Sequence, residues 1–266
     1  MEVKMEATTF YDEMVGRNIG ILTTEEQNRL KNSCVAVAGC GGMGGLSAEQ
    51  LVRLGVGHVK IADFDDFCVH NLSRQCGSTT SNMGKNKAEV LGRHFKDINP
   101  HLKLDVFKDG VTPENVDEFV SDADAVIDGT DLSRLGSTVA MYDAARKNNV
   151  CVFNPNAIGF GVNVFVFGPK TLSLSDFLGL SSGIDPRMAI TKLVPYVPSY
   201  VNPDDIRRIA LGETFLPNLA MPQYFGTAIA VSEAIMMVLG KIKEPVGPQP
   251  RVFIMDLQDR KFQITG

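Results

Sequence analysis

Residues 35–45 read VAVAGCGGMGG, a run of small apolar residues that passes directly into three glycines spaced G-x-G-x-x-G. The apolar run, together with Cys34 before it, predicts a buried strand at 34–38, the glycines predict a tight turn, and the leucine spacing after Met43 predicts a helix. A second apolar run, HVKIAD at 58–63, predicts the next strand. A strand, helix and strand of this kind form a parallel pair with a helical crossover, so the chain is expected to adopt an α/β fold.

The remaining chain continues the alternation of strands and helices. Further strands are predicted at 102–107, 124–128 and 150–154, with helices from near Met83 (capped by Ser81 or Asn82), from Pro113 and from near Leu132. A long helix is predicted at 224–241, and two closing strands at 251–265 around a turn at Gln258 and Asp259. We therefore expect a Rossmann-like, doubly wound, mostly parallel sheet with antiparallel strands in the C-terminal part.

The organisation along the chain predicts a single domain over residues 1–266. Its expected parts are an N-terminal arm and helix (1–31), a Rossmann-like part that carries the glycine turn (32–168), an irregular crossover segment (169–222) and a C-terminal helix with closing strands (223–266). The crossover segment is set apart by its serine, proline and glycine content.

Composition excludes several partners. The formal net charge is -5, which disfavours nucleic acid, and no apolar stretch reaches the length of a membrane span. The five cysteines include no C-x-x-C pair, so neither a disulfide framework nor a zinc knuckle is predicted. We expect a cytoplasmic protein with no membrane partner.

The acid after the second predicted strand suggests a nucleotide. Asp63 follows Gly39 by 24 residues, the place where an acid accepts hydrogen bonds from ribose hydroxyls. The alternative is a solvated acidic turn formed by Asp63, Asp65 and Asp66. An ordinary NAD enzyme would satisfy the same pattern.

A polar and cationic group downstream favours a triphosphate over a dinucleotide. Asn71, Arg74, Gln75 and Lys87 lie within 25 residues of Asp63. Arginine offers a planar fork of donors and lysine a mobile point charge, and together they can offset the charge on departing pyrophosphate. Taken alone, Lys87 is equally explained as a solvated helix position.

Two acids end the predicted strand in AVIDGTD, where ligands gather in open α/β sheets. Mg²⁺ needs one or two carboxylates besides substrate phosphates, and Asp131 is the candidate. Asp128 is instead expected to cap the helix that starts near Leu132.

The motifs GCGGMGG, DFDDFCVHNLSRQ, GKNKAE and DGTD, in this order, resemble the E1-like adenylyltransferases, the group of ThiF, MoeB and HesA proteins and of activating enzymes for ubiquitin-like modifiers. The likeness covers residues 10–168 well and the rest loosely. It implies an ATP site made by Gly39, Gly41, Gly42, Gly44, Asp63, Asp65, Asn71, Arg74, Gln75 and Lys87, with Mg²⁺ on Asp131. Arg17, Arg74, Lys87 and Asp131 would be its catalytic residues.

The resemblance also implies a reaction and partners. A carboxylate would attack the α-phosphorus of ATP and give an acyl adenylate and pyrophosphate. Arg17, in GRN at 16–18, would cross a two-fold axis to the triphosphate of the partner subunit, so a homodimer is expected. The carboxylate acceptor would be the C-terminus of a ubiquitin-like or sulfur-carrier protein, a peptide, or a small-molecule acid. A modified tRNA base is the least expected acceptor, because the chain is acidic overall.

Departures from the family pattern limit these implications. No cysteine follows Cys151, so we expect no zinc and no thioester in the crossover segment. Cys76 is either a thiol activated by its charged neighbours or, more commonly for such a thiol, a buried or incidental one. An NAD(P)-dependent oxidoreductase and a non-catalytic partner subunit of the same fold are the alternative functions.

Overall fold

The computed structural model describes residues 6–131, 134–182, 186–214 and 217–266. These residues form a mixed sheet of eight strands in the order β3-β2-β1-β4-β5-β6-β7-β8. The strands are β1 (Cys34–Ala38), β2 (His58–Ala62), β3 (Lys103–Phe107), β4 (Ala125–Asp128), β5 (Val152–Ile158), β6 (Gly161–Phe167), β7 (Arg251–Asp256) and β8 (Lys261–Thr265). Strands β1 to β5 pair in parallel, and β6, β7 and β8 continue the sheet antiparallel. The expected fold class is confirmed.

Helices connect and cover the strands. In the described residues they are α1 (Ala7–Met14), α2 (Thr24–Lys31), α3 (Gly42–Leu54), α4 (Lys87–Ile98), α5 (Val116–Val120), α6 (Leu135–Lys147), α7 (Leu174–Leu178), α8 (Pro186–Ala189), α9 (Pro203–Ala210) and α10 (Ala220–Val238). None of these combines the length and apolar character needed to cross a bilayer.

The central strand β1 is buried on both faces. Val35 and Val37 join an apolar cluster with residues of α3, α4 and α10, whereas Ala36 and Ala38 join a second cluster with residues of α5 and α6. Successive side chains of a strand point to opposite faces, so β1 separates two helical layers. This is why its sequence is apolar throughout instead of alternating with polar residues.

Three helix starts differ from the sequence predictions. Helix α4 begins at Lys87 with Asn86 as its cap, and not near Met83; only a short 3₁₀ turn spans Thr80–Asn82. The helix expected from Pro113 is one short element, α5. Helix α6 begins at Leu135, after residues 132–133, which lie outside the described residues.

The crossover segment contains more structure than its composition predicts. Its described residues include three short helices, α7 to α9, and two 3₁₀ turns. Leu174, Leu178 and Leu193 from this segment are buried in the same apolar cluster as α5 and α6. The segment therefore packs onto one face of the sheet, beside the carboxyl ends of the parallel strands.

Candidate functional site

The glycine turn after β1 is held by close backbone contacts. Gly39 has a φ of +82°, a conformation that favours glycine, and its N–H donates to Ala62 O at 2.7 Å. A Cβ on Gly44 would collide with the carbonyl oxygen of Gly39, and one on Gly129 would lie 2.5 Å from Gly44 N. These glycines therefore let β1, β4 and the first turn of α3 approach one another.

Asp63 ties this turn to β2. Its carboxylate accepts hydrogen bonds from Cys40 N at 2.6 Å and from Asp65 N at 2.8 Å. Burial raises the pKa of the Asp63 carboxyl, while these two hydrogen bonds and the charge of Lys87 oppose the shift. The side chain is buried and borders the same cavity as the glycines. Asp63 is thus a structural part of the turn as well as a candidate ligand for ribose.

Lys87 is the buried cation of the site. It is the first residue of α4, is 6% exposed, and its Nζ donates to Asp65 Oδ2 at 3.0 Å. A buried ammonium needs a compensating charge, which Asp65 supplies here. Arg74, which is half-buried, donates from Nη1 to the carbonyl of His70 at 3.0 Å. Lys87 and Arg74 therefore face the cavity from two separate segments.

A cavity of about 540 Å³ lies at the carboxyl ends of the parallel strands. Most of the sequence-predicted site residues line it: Gly39, Gly41, Gly42, Asp63, Asp65, Arg74, Gln75, Lys87 and Asp131. The sequence separates them by up to 92 positions, yet the sheet gathers them at one edge.

Three predicted site residues do not line this cavity: Gly44, Asn71 and Arg17. Gly44 acts in the turn described above. Asn71 is buried, and its Oδ1 accepts from Cys68 N at 2.8 Å, which shapes the loop that carries Arg74. Arg17 is exposed in the turn after α1. The roles predicted for them in ATP binding stay predictions.

The family model described as "ThiF family" matches residues 15–264. The chain belongs to the ThiF family. Among similar curated proteins, the tRNA threonylcarbamoyladenosine dehydratase of Haemophilus influenzae is 32% identical over 141 residues, 53% of this chain and 54% of that protein. The sulfur carrier protein ThiS adenylyltransferase of Escherichia coli is 30% identical over 148 residues, 56% of this chain and 58% of that protein. This chain therefore spans about half the length of the curated relatives that it matches.

Solved structures share the ThiF-family fold. PaaA superposes with a TM-score of 0.72 at 19% identity, covering 100% of this chain and 85% of that one. The Escherichia coli tRNA N6-threonylcarbamoyladenosine dehydratase TcdA in complex with AMP gives a TM-score of 0.65 at 22% identity, covering 90% of this chain and 99% of that one. Another TcdA structure is a complex with ATP.

In this ThiF-family chain, the acids at the carboxyl end of β4 and in the turn after it, Asp128 and Asp131, differ in environment. Asp128 is fully buried and accepts from Thr130 N (3.0 Å), Tyr142 Oη (2.8 Å) and Asn154 Nδ2 (3.2 Å). Burial raises the pKa of its carboxyl, and the hydrogen bonds from Thr130 and Tyr142 oppose that shift. The prediction that Asp128 caps the next helix is wrong, since it holds the turn before α6. Asp131 is exposed and lines the cavity.

Sequence reasoning missed two groups in the cavity wall. The guanidinium of Arg134 lies over the ring of Phe64, 3.4 Å from its centroid, and both side chains line the cavity. Asn163 of β6 is 1% exposed and also lines it, with no hydrogen-bond partner for either side-chain polar atom. Arg134 follows DGTD closely and could have been noticed; Asn163 stands in an apolar strand that gave no signal.

Cys76 is not an activated thiol. Burial, and then the neighbouring Glu49 carboxylate, raise its pKa to about 12. Cys76 is instead partly buried, in line with the buried state that the sequence offered as its alternative. Cys34, Cys40 and Cys151 are buried.

Proposed function

We propose that this chain binds ATP and transfers its adenylyl group to a substrate carboxylate, with release of pyrophosphate. The observation that carries the proposal is the convergence of Lys87, Arg74 and Asp131 on the cavity beside the glycine turn. The names of two curated relatives, both sulfur carrier protein adenylyltransferases, support the same reaction class.

In the proposed complex, Asp63 binds the ribose and the base lies toward Phe64 and Val111, which border the cavity beside Asp63. The phosphates lie along the glycine turn, where free N–H groups of the first turn of α3 face them. Lys87 and Arg74 contact the phosphate oxygens, and Gln75 can donate from its amide. On ATP binding Lys87 would exchange part of its pairing with Asp65 for phosphate oxygens.

Magnesium fits this arrangement. Asp131 offers a carboxylate at the cavity wall, and Mg²⁺ commonly takes one or two protein carboxylates together with phosphate oxygens. The ion would supply charge neutralisation for the β- and γ-phosphates. The Asp131 carboxylate would be the protein ligand of the Mg²⁺ ion.

The chemical step needs no nucleophile from the protein. An oxygen of the acceptor carboxylate forms a bond to the α-phosphorus, and the bond from that phosphorus to the bridging oxygen breaks. Pyrophosphate leaves with the electron pair of that bond. Two anions must meet for this attack, so Lys87 and Arg74 act by positioning and by electrostatic stabilisation.

The acceptor would enter from the side of the crossover segment. There the cavity is lined by apolar side chains of α9, Ile206 and Ile209, and by Leu193. Asn163 adds a buried donor and acceptor without partners. We propose that the acceptor carboxylate belongs to a peptide chain end or to a small acid. The acceptor would have apolar groups next to the carboxylate and a polar group that hydrogen-bonds to Asn163. A peptide or carrier-protein C-terminus meets this description.

We further propose a homodimer in which Arg17 acts in trans. Arg17 is exposed and does not line the cavity of its own chain, which suits a contact with a partner's triphosphate. The described cysteines are free thiols, which suits a reducing compartment, and we propose the cytoplasm.

Carboxylate-dependent exchange of labelled pyrophosphate into ATP tests the reaction. A panel of carrier-protein C-termini, peptides and small acids should contain members that drive exchange, with AMP as the nucleotide product. Arg74→Gln should lower exchange at least tenfold, whereas Arg93→Gln, an exposed arginine away from the cavity, should not. Formation of ADP as the sole product would rule out adenylation.

A further inference from the structure

Three side chains of types that can bind a metal ion come together next to the loop that carries Arg74. They are Glu49 of α3, Cys76 of the loop after Arg74, and His94 of α4. Cys76 Sγ lies 2.9 Å from Glu49 Oε2, and His94 Nε2 lies 3.3 Å from the same oxygen. All three ligand atoms lie within 4.8 Å of one another. Three segments that are distant in sequence therefore present sulfur, nitrogen and oxygen donors to one point.

The cluster of Glu49, Cys76 and His94 is accessible to solvent, and the Glu49 carboxylate is held in a fixed orientation. Arg53 holds the other oxygen of Glu49, Oε1, at 2.7 Å, which turns Oε2 toward Cys76 and His94. The side chain of His94 is 39% exposed and that of Glu49 is 21% exposed. An ion can reach the cluster from solvent, and a water molecule can complete its coordination.

We propose that Glu49, Cys76 and His94 form a zinc site with water as the fourth ligand. Zn²⁺ takes thiolate, imidazole and carboxylate ligands, commonly with three protein groups and one open position. Ligands of a tetrahedral zinc ion lie about 3.4–3.7 Å apart, and the distances from Glu49 Oε2 to Cys76 Sγ, 2.9 Å, and to His94 Nε2, 3.3 Å, are close to that spacing. On binding, the Cys76 thiol loses its proton to solvent and its sulfur bonds to the ion.

This site needs no C-x-x-C pair, the feature whose absence argued against a zinc knuckle. None of its three residues lines the nucleotide cavity, but Arg74 and Gln75, the residues just before Cys76, do. A bound ion would fasten this loop to α3 and α4, and so would fix the position of Arg74 and Gln75. The proposed site contains one cysteine, and finding zinc there would contradict the sequence-based expectation of no zinc in this chain.

Titration of the metal-free protein with Co²⁺ tests the proposal. Cobalt replaces zinc in tetrahedral sites, and a thiolate ligand gives a charge-transfer band in the near ultraviolet. We expect the band to saturate at one ion per chain and to disappear when Zn²⁺ is added. At free Zn²⁺ 100-fold above Kd, the ratio of folded to unfolded protein should rise about 100-fold.

Variants identify the ligands. Cys76→Ser should abolish the band and His94→Gln should weaken cobalt binding at least tenfold, while Cys68→Ser, which removes an exposed thiol outside the cluster, should leave both unchanged. Far-ultraviolet circular dichroism will verify that each variant is folded, and Cys76→Ala provides a second test of the same ligand. A wild-type protein without the band, or a band that survives in Cys76→Ser and Cys76→Ala, would overturn the proposal.

Discussion

Asn163 carries a buried amide for which the described residues provide no hydrogen-bond partner. An unpaired buried polar group costs about 1–3 kcal/mol, so Asn163→Leu should raise the free energy of unfolding by about that amount. Asn154→Leu is the matched control, because Asn154 is equally buried but donates to Asp128 O at 3.0 Å. We expect that substitution to lower the free energy of unfolding. Urea titrations of both variants measure the difference, and equal destabilisation would remove the proposed role of Asn163 in acceptor binding.

Thiol reactivity should follow burial. Cys68 is exposed, while burial raises the pKa of Cys34 to about 11 and those of Cys76 and Cys151 to about 12. With a pKa of about 12, only about one thiol in 10⁴ is ionised at pH 8, and this fraction grows about tenfold per pH unit.

Iodoacetamide at pH 8, with a chelator present, should therefore label Cys68 first. The rate of Cys76 labelling should rise only at a pH well above that at which Cys68 is labelled. Peptide mass spectrometry over a pH series reads both sites. Labelling of Cys76 as fast as Cys68 at pH 8 would contradict the raised pKa.

The sequence predicted those site residues that lie together in short motifs. Gly39, Arg74, Gln75 and Lys87 stand in runs whose chemistry is visible in sequence, and the structure gathers them around one cavity. Asn163 was not predictable, because its place in the wall depends on the antiparallel pairing of β6 with β5, opposite Asn156. Such neighbours are set by the register of the sheet and not by local composition.

The strands were predicted more accurately than the helix starts. The bounds of β1 agree with the sequence pattern, because a fully buried strand has only apolar residues. The start of α4 was misplaced because Asn82 and Asn86 are both good caps. Hydrogen bonds to residues distant in sequence favour Asn86 as the cap. Asn86 Nδ2 donates to Asp63 O at 3.1 Å, and Lys87 N donates to Asp65 O at 2.9 Å.

This choice of cap predicts a stability difference. Asn86 Oδ1 accepts from Glu89 N at 3.1 Å, so Asn86→Ala should lower the free energy of unfolding by about 1–3 kcal/mol. Ser81→Ala, at one of the two positions that the sequence predicts as the cap, should change the free energy of unfolding by less than about 0.5 kcal/mol. Chemical denaturation monitored by circular dichroism distinguishes the two. The reverse order would move the start of α4 back toward Met83.

The protein is expected to act as a homodimer in which each active site needs a residue from both subunits. If Arg17 acts in trans, neither Arg17→Ala nor Lys87→Met alone should support pyrophosphate exchange. A reassorted mixture of the two should regain about a quarter of wild-type activity, since half the dimers are mixed and each holds one complete site. Exchange assays before and after reassortment measure this. Full activity in Arg17→Ala, or no recovery in verified mixed dimers, would exclude the arrangement.

The nucleotide that the cavity accepts can be measured directly by isothermal titration of the protein with ATP and Mg²⁺, and separately with NAD. We expect one ATP per chain, bound more tightly than NAD, and a loss of about 10- to 100-fold in ATP affinity for Lys87→Met. Lys85→Met, which removes an exposed lysine two residues away, should leave ATP affinity within about twofold. Tighter binding of NAD than of ATP, or equal ATP affinities for the two lysine variants, would contradict a triphosphate site at Lys87.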